Sequence, residues 1–379
     1  MRIGIDASNI RSGGGLAHLI KLLSAVNPIS MDISHIILWG GHSTLKQIDN
    51  QPWLIKSQQK LLDKGLLYRI FWQKFKLAKL ARKAQCNVLF VPGGSYAGSF
   101  KPVVTISQNL LPFEKCELKR YYWSIMTIRL MLLHVVQKYT FQRADGVIFL
   151  THYAKKVIMS VIKAIDDKTA IIPHGIDETF IFKPRMQLGI DHYSLEHPYH
   201  ILYVSKIDVY KHQVNVALAV VKLRQLGLPI KLSLIGPAYL PALKRLRKIL
   251  QQVDPHKEFI NYLGAVANEQ LPMHYLHADL FLFASSCENL PIILLEAMAS
   301  GLPIACSNYG PMPEVLSDAG LYFDPEDLQS IVNTLRELLD SPILRAKLAA
   351  ASFERAKQYS WSRTAEHTFA FLKKIIEGT

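Results

Sequence analysis

Two glutamates, Glu288 and Glu296, have the spacing in this sequence that most suggests chemistry. Residues 279–283 predict a buried strand, and Pro291 suits the first turn of the helix that follows. Glu288 then lies in the loop, and Glu296 lies roughly 7–8 Å along the helix axis from Pro291. Carboxylates so placed could bind hydroxyl groups on different parts of one elongated ligand, and the free amides at the helix start suit oxygen-rich ligands. An exposed helix residue and a loop charge would show the same spacing.

A glycine-rich turn, Ser12–Gly15, lies between the first predicted strand and a helix that starts near Leu16. Its glycines let a ligand approach the backbone closely. His18 occupies the third glycine position of the dinucleotide fingerprint, which disfavours a dinucleotide site. The sequence has no P-loop, no D-x-D pair and no metal-binding spacing among its 14 histidines, so we expect no metal and no other cofactor.

These residues need a scaffold, and the alternation of apolar runs with helical stretches predicts an α/β fold. The apolar runs are nearly continuous, as is typical of parallel strands covered on both faces. Strands are predicted at 2–7, 35–40, 87–91, 102–106, 146–150, 169–172, 200–205, 230–235, 258–263, 279–283 and 303–307. Functional residues should lie just after strands, because ligands bind outside the carboxyl ends of open sheets.

The length of 379 residues predicts two domains, each a doubly wound, Rossmann-like sheet, facing each other across a cleft. The boundary is expected within 184–199, where prolines and a glycine interrupt a polar segment. The predicted domains are 1–188 and 189–361, followed by a C-terminal helix at 362–379 that can cross back to the first domain.

The net charge of +14 is distributed unevenly along the chain. Residues 1–190 carry 26 Lys/Arg and 11 Asp/Glu, a balance of +15, whereas residues 191–379 carry 18 and 19, a balance of −1. The stretches 56–83 and 119–143 combine basic with apolar and aromatic residues, which fits membrane-surface helices or core helices with a basic rim. The charge of the whole first half favours an anionic membrane surface, into which Trp72 and Phe75 would insert. No nucleic-acid-binding module is recognisable, so we expect no nucleic acid partner.

The first residues, Met1–Asp6, predict a buried strand rather than a signal peptide. We therefore expect a cytoplasmic protein, peripheral on the inner face of the cell membrane. The four cysteines are widely spaced, and we expect buried thiols rather than disulfides or zinc ligands at Cys86, Cys116, Cys287 and Cys306.

The stretch 284–325 resembles the signature of the retaining glycosyltransferases of family 4, of the kind that builds bacterial cell-surface polysaccharides. The matching residues are Glu288, Pro291, Glu296–Ala299, Gly301–Pro303, Pro313–Val315 and Asp318–Pro325. Weaker matches run through most of the chain. The resemblance implies the two-domain GT-B fold, with the first domain on the acceptor and membrane side and the second binding a nucleotide-sugar donor.

The same resemblance implies roles for the residues of 284–325. Glu288 would hydrogen-bond the donor sugar, and Glu296 would bind the ribose of the nucleotide. The loop amides around Asn289 and Leu290 would point at the sugar. The family usually has glycine where this chain has Asn289, and the added polar side chain could alter donor choice.

Other donor contacts are implied outside that stretch. Lys206 and Lys211 stand where the family commonly has Arg and Lys that contact the donor diphosphate. Two cations there would stabilise the leaving phosphate and, with Glu288, are the catalytic candidates. Lysine is a point charge rather than a fork, so the first contact would be less directional. Two solvated lysines are the alternative. In similar transferases the turn that holds Gly14 and Gly15 borders the donor phosphates and the acceptor.

Weaker candidates are His18, Asn109, His152 and His174. Several family members have a histidine after the strand that corresponds to 102–106, where this chain has Ser107–Asn109. His174 stands where the family often has Asn. For these histidines we expect a structural rather than a catalytic role.

The sequence thus predicts a hexosyltransferase that moves a sugar from a nucleotide diphosphate sugar to a lipid-linked or cell-surface glycan, such as O-antigen or capsule. By resemblance it is retaining, with a front-face reaction in which the leaving phosphate accepts the acceptor proton. One alternative is a GT-B nucleotide-sugar epimerase, which would need base residues that the sequence does not reveal. The other is a non-enzymatic, basic membrane-binding protein, which would have no need of the Glu288/Glu296 pair.

Overall fold

The computed structural model describes residues 1–162 and 168–378, and the chain forms two compact units. The first unit consists of Met1–Leu118, Tyr122–Gly175 and Tyr359–Thr379. The second consists of Lys119–Tyr121 and Ile176–Gln358. Each is built on an open, parallel sheet with helices in its connections, as the alternation of apolar runs predicted.

The first unit contains seven parallel strands in the order β3-β2-β1-β4-β5-β6-β7. They are β1 (Arg2–Asp6), β2 (His35–Gly40), β3 (Leu54–Gln58), β4 (Val88–Val91), β5 (Val103–Ile106), β6 (Gly146–Phe149) and β7 (Thr169–Ile171). The helices are α1 (Gly14–Ala25), α2 (His42–Leu45), α3 (Leu66–Trp72), α4 (Ala78–Lys83), α5 (Lys115–Lys119, whose last residue is counted with the second unit), α6 (Ile125–Arg143) and α7 (His152–Met159). Four central strands, β1, β4, β5 and β6, are almost entirely buried, so the core lies along both faces of this sheet.

The second unit contains six parallel strands in the order β10-β9-β8-β11-β12-β13. They are β8 (Tyr199–Val204), β9 (Ile230–Ile235), β10 (Ile260–Gly264), β11 (Leu280–Phe283), β12 (Ile304–Ser307) and β13 (Leu321–Phe323). The helices are α8 (Gln213–Gln225), α9 (Leu240–Val253), α10 (Leu271–Leu276), α11 (Ile292–Ala299), α12 (Met312–Leu316), α13 (Leu328–Asp340) and α14 (Pro342–Ala356). The last helix of the chain, α15 (Trp361–Glu377), belongs to the first unit, where it packs on α1.

Two strands of the structure, β3 and β13, were not predicted, and both are edge strands. β3 reads Leu-Ile-Lys-Ser-Gln and is only partly buried. β13 has three residues. An edge strand pairs on one side only and needs fewer apolar residues, so its sequence signal is weak.

The chain passes from the first unit to the second at Gly175, earlier than the predicted boundary. The following segment packs on the second unit: the Phe182 amide donates to the Ala299 carbonyl (3.0 Å), and Arg185 donates to the carbonyl of Ala278. The return occurs before α15, where the Thr364 hydroxyl donates to the Pro173 carbonyl (2.8 Å). These contacts, rather than local composition, determine the boundaries.

Residues 66–83 form one continuous helix, in which a π-helical turn, Gln73–Leu77, joins α3 to α4. Within the described part of the chain, no helix is both long enough and apolar enough to cross a bilayer. All four cysteines are free thiols. Cys287 and Cys306 are buried as expected, whereas Cys86 is only partly buried and Cys116 is exposed, so the prediction of burial was wrong for Cys116.

Candidate active site

Two loops at the carboxyl edge of the second sheet carry most of the predicted site residues. One loop follows β8 and the other follows β11, and these strands are neighbours in the sheet although they are far apart in sequence. Hydrogen bonds join the loops: the Ser286 amide donates to the Tyr210 carbonyl (2.9 Å), and the Ser286 hydroxyl lies 3.0 Å from His212 Nε2. The two loops therefore form a single polar surface.

The central contact of this surface is an ion pair between Lys211 and Glu288. Lys211 is only 5% exposed, and its Nζ lies 5.3 Å from the ring centre of Phe283 and 5.1 Å from that of Tyr210. An ammonium in such surroundings needs its carboxylate partner, because an unpaired buried charge is costly. The alternative of a solvated lysine is therefore excluded for Lys211.

Lys206 forms a second, more exposed ion pair, with 2.7 Å between its Nζ and Asp208 Oδ2. Asp208 is buried and also accepts hydrogen bonds from the Val209 amide and the Tyr121 hydroxyl, both at 2.9 Å. Asp208 was not predicted as a site residue. Its position between the two lysines, at the start of the turn Val209–Lys211, was a signal that could have found it.

Glu296 lies inside α11, as predicted, and is half-buried. Its Oε2 accepts a hydrogen bond from the Tyr275 hydroxyl (2.8 Å). Burial raises the pKa of Glu296 from 4.5 to about 7, the Tyr275 hydrogen bond lowers it and nearby Asp177 raises it. The carboxyl group is therefore divided between its protonated and ionised forms near neutral pH. Tyr275 was also missed, and nothing local in the sequence singles it out.

The loop between Glu288 and α11 is buried at Asn289 and Leu290, and Pro291 takes the position before the first helical residue. No side chain caps this helix start. Glu288 therefore lies in the strand-to-helix loop and Glu296 one turn inside the helix, as the sequence predicted. The structure brings Lys206, Lys211, Glu288, Asn289, Leu290 and Glu296 to one edge of the second sheet.

Gly14 and Gly15 belong to the first unit, at the carboxyl end of β1. Gly13 has φ +70° and a Cβ there or at Gly14 would meet nothing within 4 Å, so the backbone is open to a ligand. A Cβ on Gly15 would lie 3.3 Å from Gln108 Oε1. The turn after β1 and the loop after β5 thus meet at the carboxyl edge of the first sheet.

His18 and His174 lie side by side in the first unit, with 2.7 Å between their Nδ1 atoms, and both are buried. Burial lowers the pKa of His18 to about 3, and burial followed by the nearby His18 lowers the pKa of His174. Both imidazoles are neutral and pack against the ring of Trp361 at the start of α15. His152, at the start of α7, and Asn109 are exposed.

The helix 66–83 and α6 expose many apolar side chains in the first unit, and Ser95–Ala97 contacts both. Gln73 Oε1 accepts from the Ala97 amide (3.2 Å), and the Tyr96 amide donates to Thr140 Oγ1 (3.0 Å). We call this the apolar–basic surface; its exposed apolar residues are Leu66, Leu67, Tyr68, Ile70, Phe71, Phe75, Tyr122, Trp123, Ile125, Ile128, Met131, Leu132, Val135, Val136 and Tyr139. Trp72, expected to insert into a membrane, is instead fully buried, so that expectation was wrong.

Metal-binding side chains do not cluster in residues 1–162 and 168–378: no three His, Cys, Asp or Glu side chains are grouped closely enough to hold an ion.

Part of the second unit matches a family of known proteins. Residues 191–355 match the family model "Glycosyl transferases group 1". O-antigen chain mannosyltransferase B of Escherichia coli is 37% identical over 117 residues, which are 31% of this chain and 31% of that protein. A GDP-mannose-dependent alpha-(1-6)-phosphatidylinositol monomannoside mannosyltransferase of Mycobacterium tuberculosis is 26% identical over 267 residues, 66% of each chain. The chain thus spans less than a third of the first relative and about two thirds of the second.

Solved structures resemble the whole chain. Sucrose-phosphate synthase from Thermosynechococcus elongatus aligns with a TM-score of 0.78 and 17% identity, covering 100% of both chains. Anabaena HepE, solved in complex with UDP, aligns with a TM-score of 0.69 and 15% identity over 98% of this chain and 99% of its own. These likenesses confirm the predicted GT-B fold. Residues 191–355 are therefore similar to group 1 glycosyltransferases, and mannosyltransferases are among the proteins that resemble this chain.

Proposed function

We propose that this protein is a retaining, metal-independent glycosyltransferase. It moves a hexose from a nucleotide diphosphate sugar to a hydroxyl group of a lipid-linked or cell-surface glycan. The observation that carries the proposal is the set of paired charges at the carboxyl edge of the second sheet, inside the segment that matches group 1 glycosyltransferases. The mannosyltransferases among the relatives make mannose the first sugar to test.

Each paired group suits one part of such a donor. Lys206 and Lys211 provide cations for the diphosphate, and Glu288, held beside Lys211, provides an acceptor for sugar hydroxyl groups. Glu296, with its second oxygen not engaged by Tyr275, provides an acceptor for the ribose hydroxyl groups. Because the cations are already positioned, they stabilise charge that develops on the leaving phosphate without reorganising.

The proposed reaction is the front-face displacement that the family resemblance implies. The acceptor hydroxyl oxygen forms a bond to the anomeric carbon on the face from which the diphosphate departs. The bond between the anomeric carbon and the phosphate oxygen breaks, its electron pair goes to the nucleoside diphosphate, and the acceptor proton goes to a phosphate oxygen. Lys206 and Lys211 carry the charge that a metal ion carries in other transferases, so the step needs no added metal.

The acceptor side is assigned to the first unit and to the cytoplasmic face of an anionic membrane. Support comes from the apolar–basic surface: residues 64–83 and 118–143 contain no Asp or Glu. Exposed apolar side chains rimmed only by cations favour an anionic lipid surface over a second copy of the chain, since two copies would bring like charges together. The glycan is of the O-antigen or capsule kind; the mannosyltransferase B relative is named for the O-antigen chain.

The epimerase and the non-enzymatic alternatives are not favoured, since the named relatives are transferases. Thermal unfolding with a panel of GDP, UDP, GDP-mannose and UDP-glucose tests the donor assignment, because a ligand that binds only the folded state raises the midpoint. We expect either GDP and GDP-mannose or UDP and UDP-glucose to stabilise the protein. The protein should also hydrolyse that nucleotide sugar slowly, releasing the sugar and the nucleoside diphosphate. Chelator should leave this release intact. No stabilisation by any member, or release that requires magnesium or manganese, would contradict the proposal.

A further inference from the structure

Two arginines are held close together at the carboxyl edge of the first sheet. Arg69, on α3, donates to Asn9 Oδ1 (3.1 Å) and to the Ser8 carbonyl (3.5 Å) in the segment after β1. Arg11, in the same segment, donates to the carbonyls of Leu62 (2.6 Å) and Lys64 (2.7 Å), just before α3. The contacts are reciprocal, so each guanidinium is fixed by the other's segment.

Carboxylates do not neutralise this pair. In the described parts of the chain, neither Arg11 nor Arg69 forms an ion pair, and Arg69 Nε is buried with no hydrogen-bond acceptor. Burial, followed by the proximity of Arg11, lowers the pKa of Arg69. Asp6, at the end of β1, is buried; it accepts hydrogen bonds from Gln73 and the Ser8 amide, and burial raises its pKa. Asp63, between the two residues whose carbonyls Arg11 contacts, accepts a hydrogen bond from the His42 amide (2.7 Å) instead.

Further donors lie next to the arginines. Arg11 is followed by Gly13 and by α1, a 12-residue helix with no side-chain cap and no acidic residue in its first turn. A Cβ at Gly13 or Gly14 would meet nothing within 4 Å, so a ligand can approach these backbone positions. Two guanidinium groups and a helix start together suit a group with several anionic oxygens, and the guanidinium fork matches phosphate.

The helix that holds Arg69 carries apolar side chains on its other faces. Leu67, two residues before Arg69, and Phe71, two residues after it, are exposed members of the apolar–basic surface. A ligand whose phosphate rests on Arg69 therefore finds exposed apolar side chains within about one helical turn. A lipid-linked saccharide has its phosphate directly next to a hydrocarbon chain, with the sugar on the other side of the phosphate.

We propose that Arg11 and Arg69 bind the phosphate group of a lipid-linked acceptor, while the adjoining apolar–basic surface contacts its hydrocarbon chain. This assignment rests on the proposed glycosyltransferase function and names the class of acceptor. The shared chemistry is a phosphate attached to a lipid, which a membrane phospholipid headgroup could also supply.

Binding of three matched isoprenoids tests the proposal: farnesyl diphosphate, farnesoic acid and farnesol, measured by isothermal titration calorimetry with the full chain. We expect farnesyl diphosphate to bind and the other two to bind at least tenfold more weakly, since they offer the guanidinium groups fewer anionic oxygens or none. Arg11→Gln and Arg69→Gln should each weaken farnesyl diphosphate binding about tenfold or more. Arg2→Gln, at the opposite end of β1, is the matched control and should leave it unchanged. Equal binding of farnesoic acid, or wild-type affinity in the Arg11 and Arg69 variants, would overturn the proposal.

Two further arms separate the possible outcomes. The Arg11→Gln and Arg69→Gln variants should still sediment with phosphatidylglycerol vesicles. If their vesicle binding fell as much as their farnesyl diphosphate binding, the arginines would instead bind the headgroups of membrane phospholipids. Arg69→Lys keeps the charge and should restore part of the affinity for farnesyl diphosphate. Because Arg11 is exposed, its Gln variant tests the site even if Arg69→Gln does not fold. Nucleoside diphosphate binding should be unchanged in all variants. If the wild type bound no nucleotide but the isoprenoid pattern held, the transferase function would fail and the phosphate site would stand.

Discussion

The carboxyl edges of the two sheets satisfy their charges in opposite ways. At the second sheet each charged residue predicted for the site has a partner: Lys206 has Asp208, Lys211 has Glu288, and Glu296 has the Tyr275 hydroxyl. At the first sheet Arg11 and Arg69 bond to carbonyl and amide oxygens only. The net charge is +15 for residues 1–190 and −1 for residues 191–379, and the two edges differ in the same direction.

This difference indicates which kind of ligand each edge favours. An edge whose cations are already paired with carboxylates attracts anions less by charge alone, so it can discriminate by position among the parts of a polar donor. An unpaired cationic edge is stabilised when an anion arrives, and it therefore favours a ligand that brings charge. Four changes to the chain test how far this comparison extends.

The largest effect is expected at the apolar–basic surface, where five exposed cations can be removed together. Changing all five to Gln should weaken binding to anionic vesicles by roughly several thousandfold, since each contributes about 1 kcal/mol; the residues are Lys74, Lys76, Lys79, Arg82 and Lys83. Vesicle sedimentation at rising salt measures this, and binding should fall with ionic strength.

A matched control for that experiment lies in the second unit. Helix α9 carries four exposed cations, Lys244, Arg245, Arg247 and Lys248, above a buried apolar face of Ala242, Leu243 and Leu246. Changing these four to Gln should leave vesicle binding intact. The proposed role of the first unit would be contradicted if both variants lost vesicle binding equally. It would also be contradicted if the protein bound neutral vesicles with an affinity independent of salt.

Lys211→Met breaks the central pair of the second edge and leaves the Glu288 carboxylate without its cation. We expect the free energy of unfolding to fall by about 3–5 kcal/mol, the cost of an uncompensated buried charge. Urea denaturation measures it. The double variant Lys211→Met with Glu288→Gln should recover most of the loss; a double variant as unstable as the sum of the two singles would mean that the pair is not coupled.

Glu296→Gln changes the pH dependence of stability. The folded-state pKa of about 7 is raised above the unfolded value of 4.5, so the stability it contributes is present below 4.5 and lost as pH rises through 7. Relative to the Glu296→Gln variant, the wild type should lose on the order of 3 kcal/mol between about pH 4.5 and 8. Thermal melts of both proteins across that range measure it, and parallel curves would contradict the raised pKa. The same variant should weaken binding of nucleoside diphosphate itself, not only of the sugar-bearing donor, if Glu296 binds ribose.

The smallest effect is expected for Lys206→Ala, because this lysine is more exposed than Lys211. Loss of one preorganised cation should lower kcat about tenfold to a hundredfold and change KM less, since the charge develops in the transition state. Steady-state kinetics with saturating acceptor measures the effects on kcat and KM separately. A change confined to KM would place Lys206 in ground-state binding only.

Local sequence determined much of this protein. The buried strands are short apolar runs, and the strands of the described residues lie where those runs predicted them, except for β3 and β13. Pro291 placed the start of α11, and with it the loop position of Glu288 and the helical position of Glu296. These features depend on the chain within a few residues, through strand propensity, helix-start geometry and capping.

Pairing across the sheet was decided by the tertiary structure. Lys211 meets Glu288 because β8 and β11 are neighbours, and strand order is a property of the whole sheet rather than of either segment. Asp208 and Tyr275 became site residues in the same way, through partners distant in sequence or in adjoining elements.

The helix 66–83 shows the same limit of local sequence. Trp72 and Phe75 have similar surroundings in sequence, yet the first is fully buried and the second is exposed. The π-helical turn at Gln73–Leu77 and the packing of α3 on the carboxyl edge of the first sheet set which side of this helix faces the core. A sequence pattern states which side chains can be buried, but only the packed elements determine which ones meet.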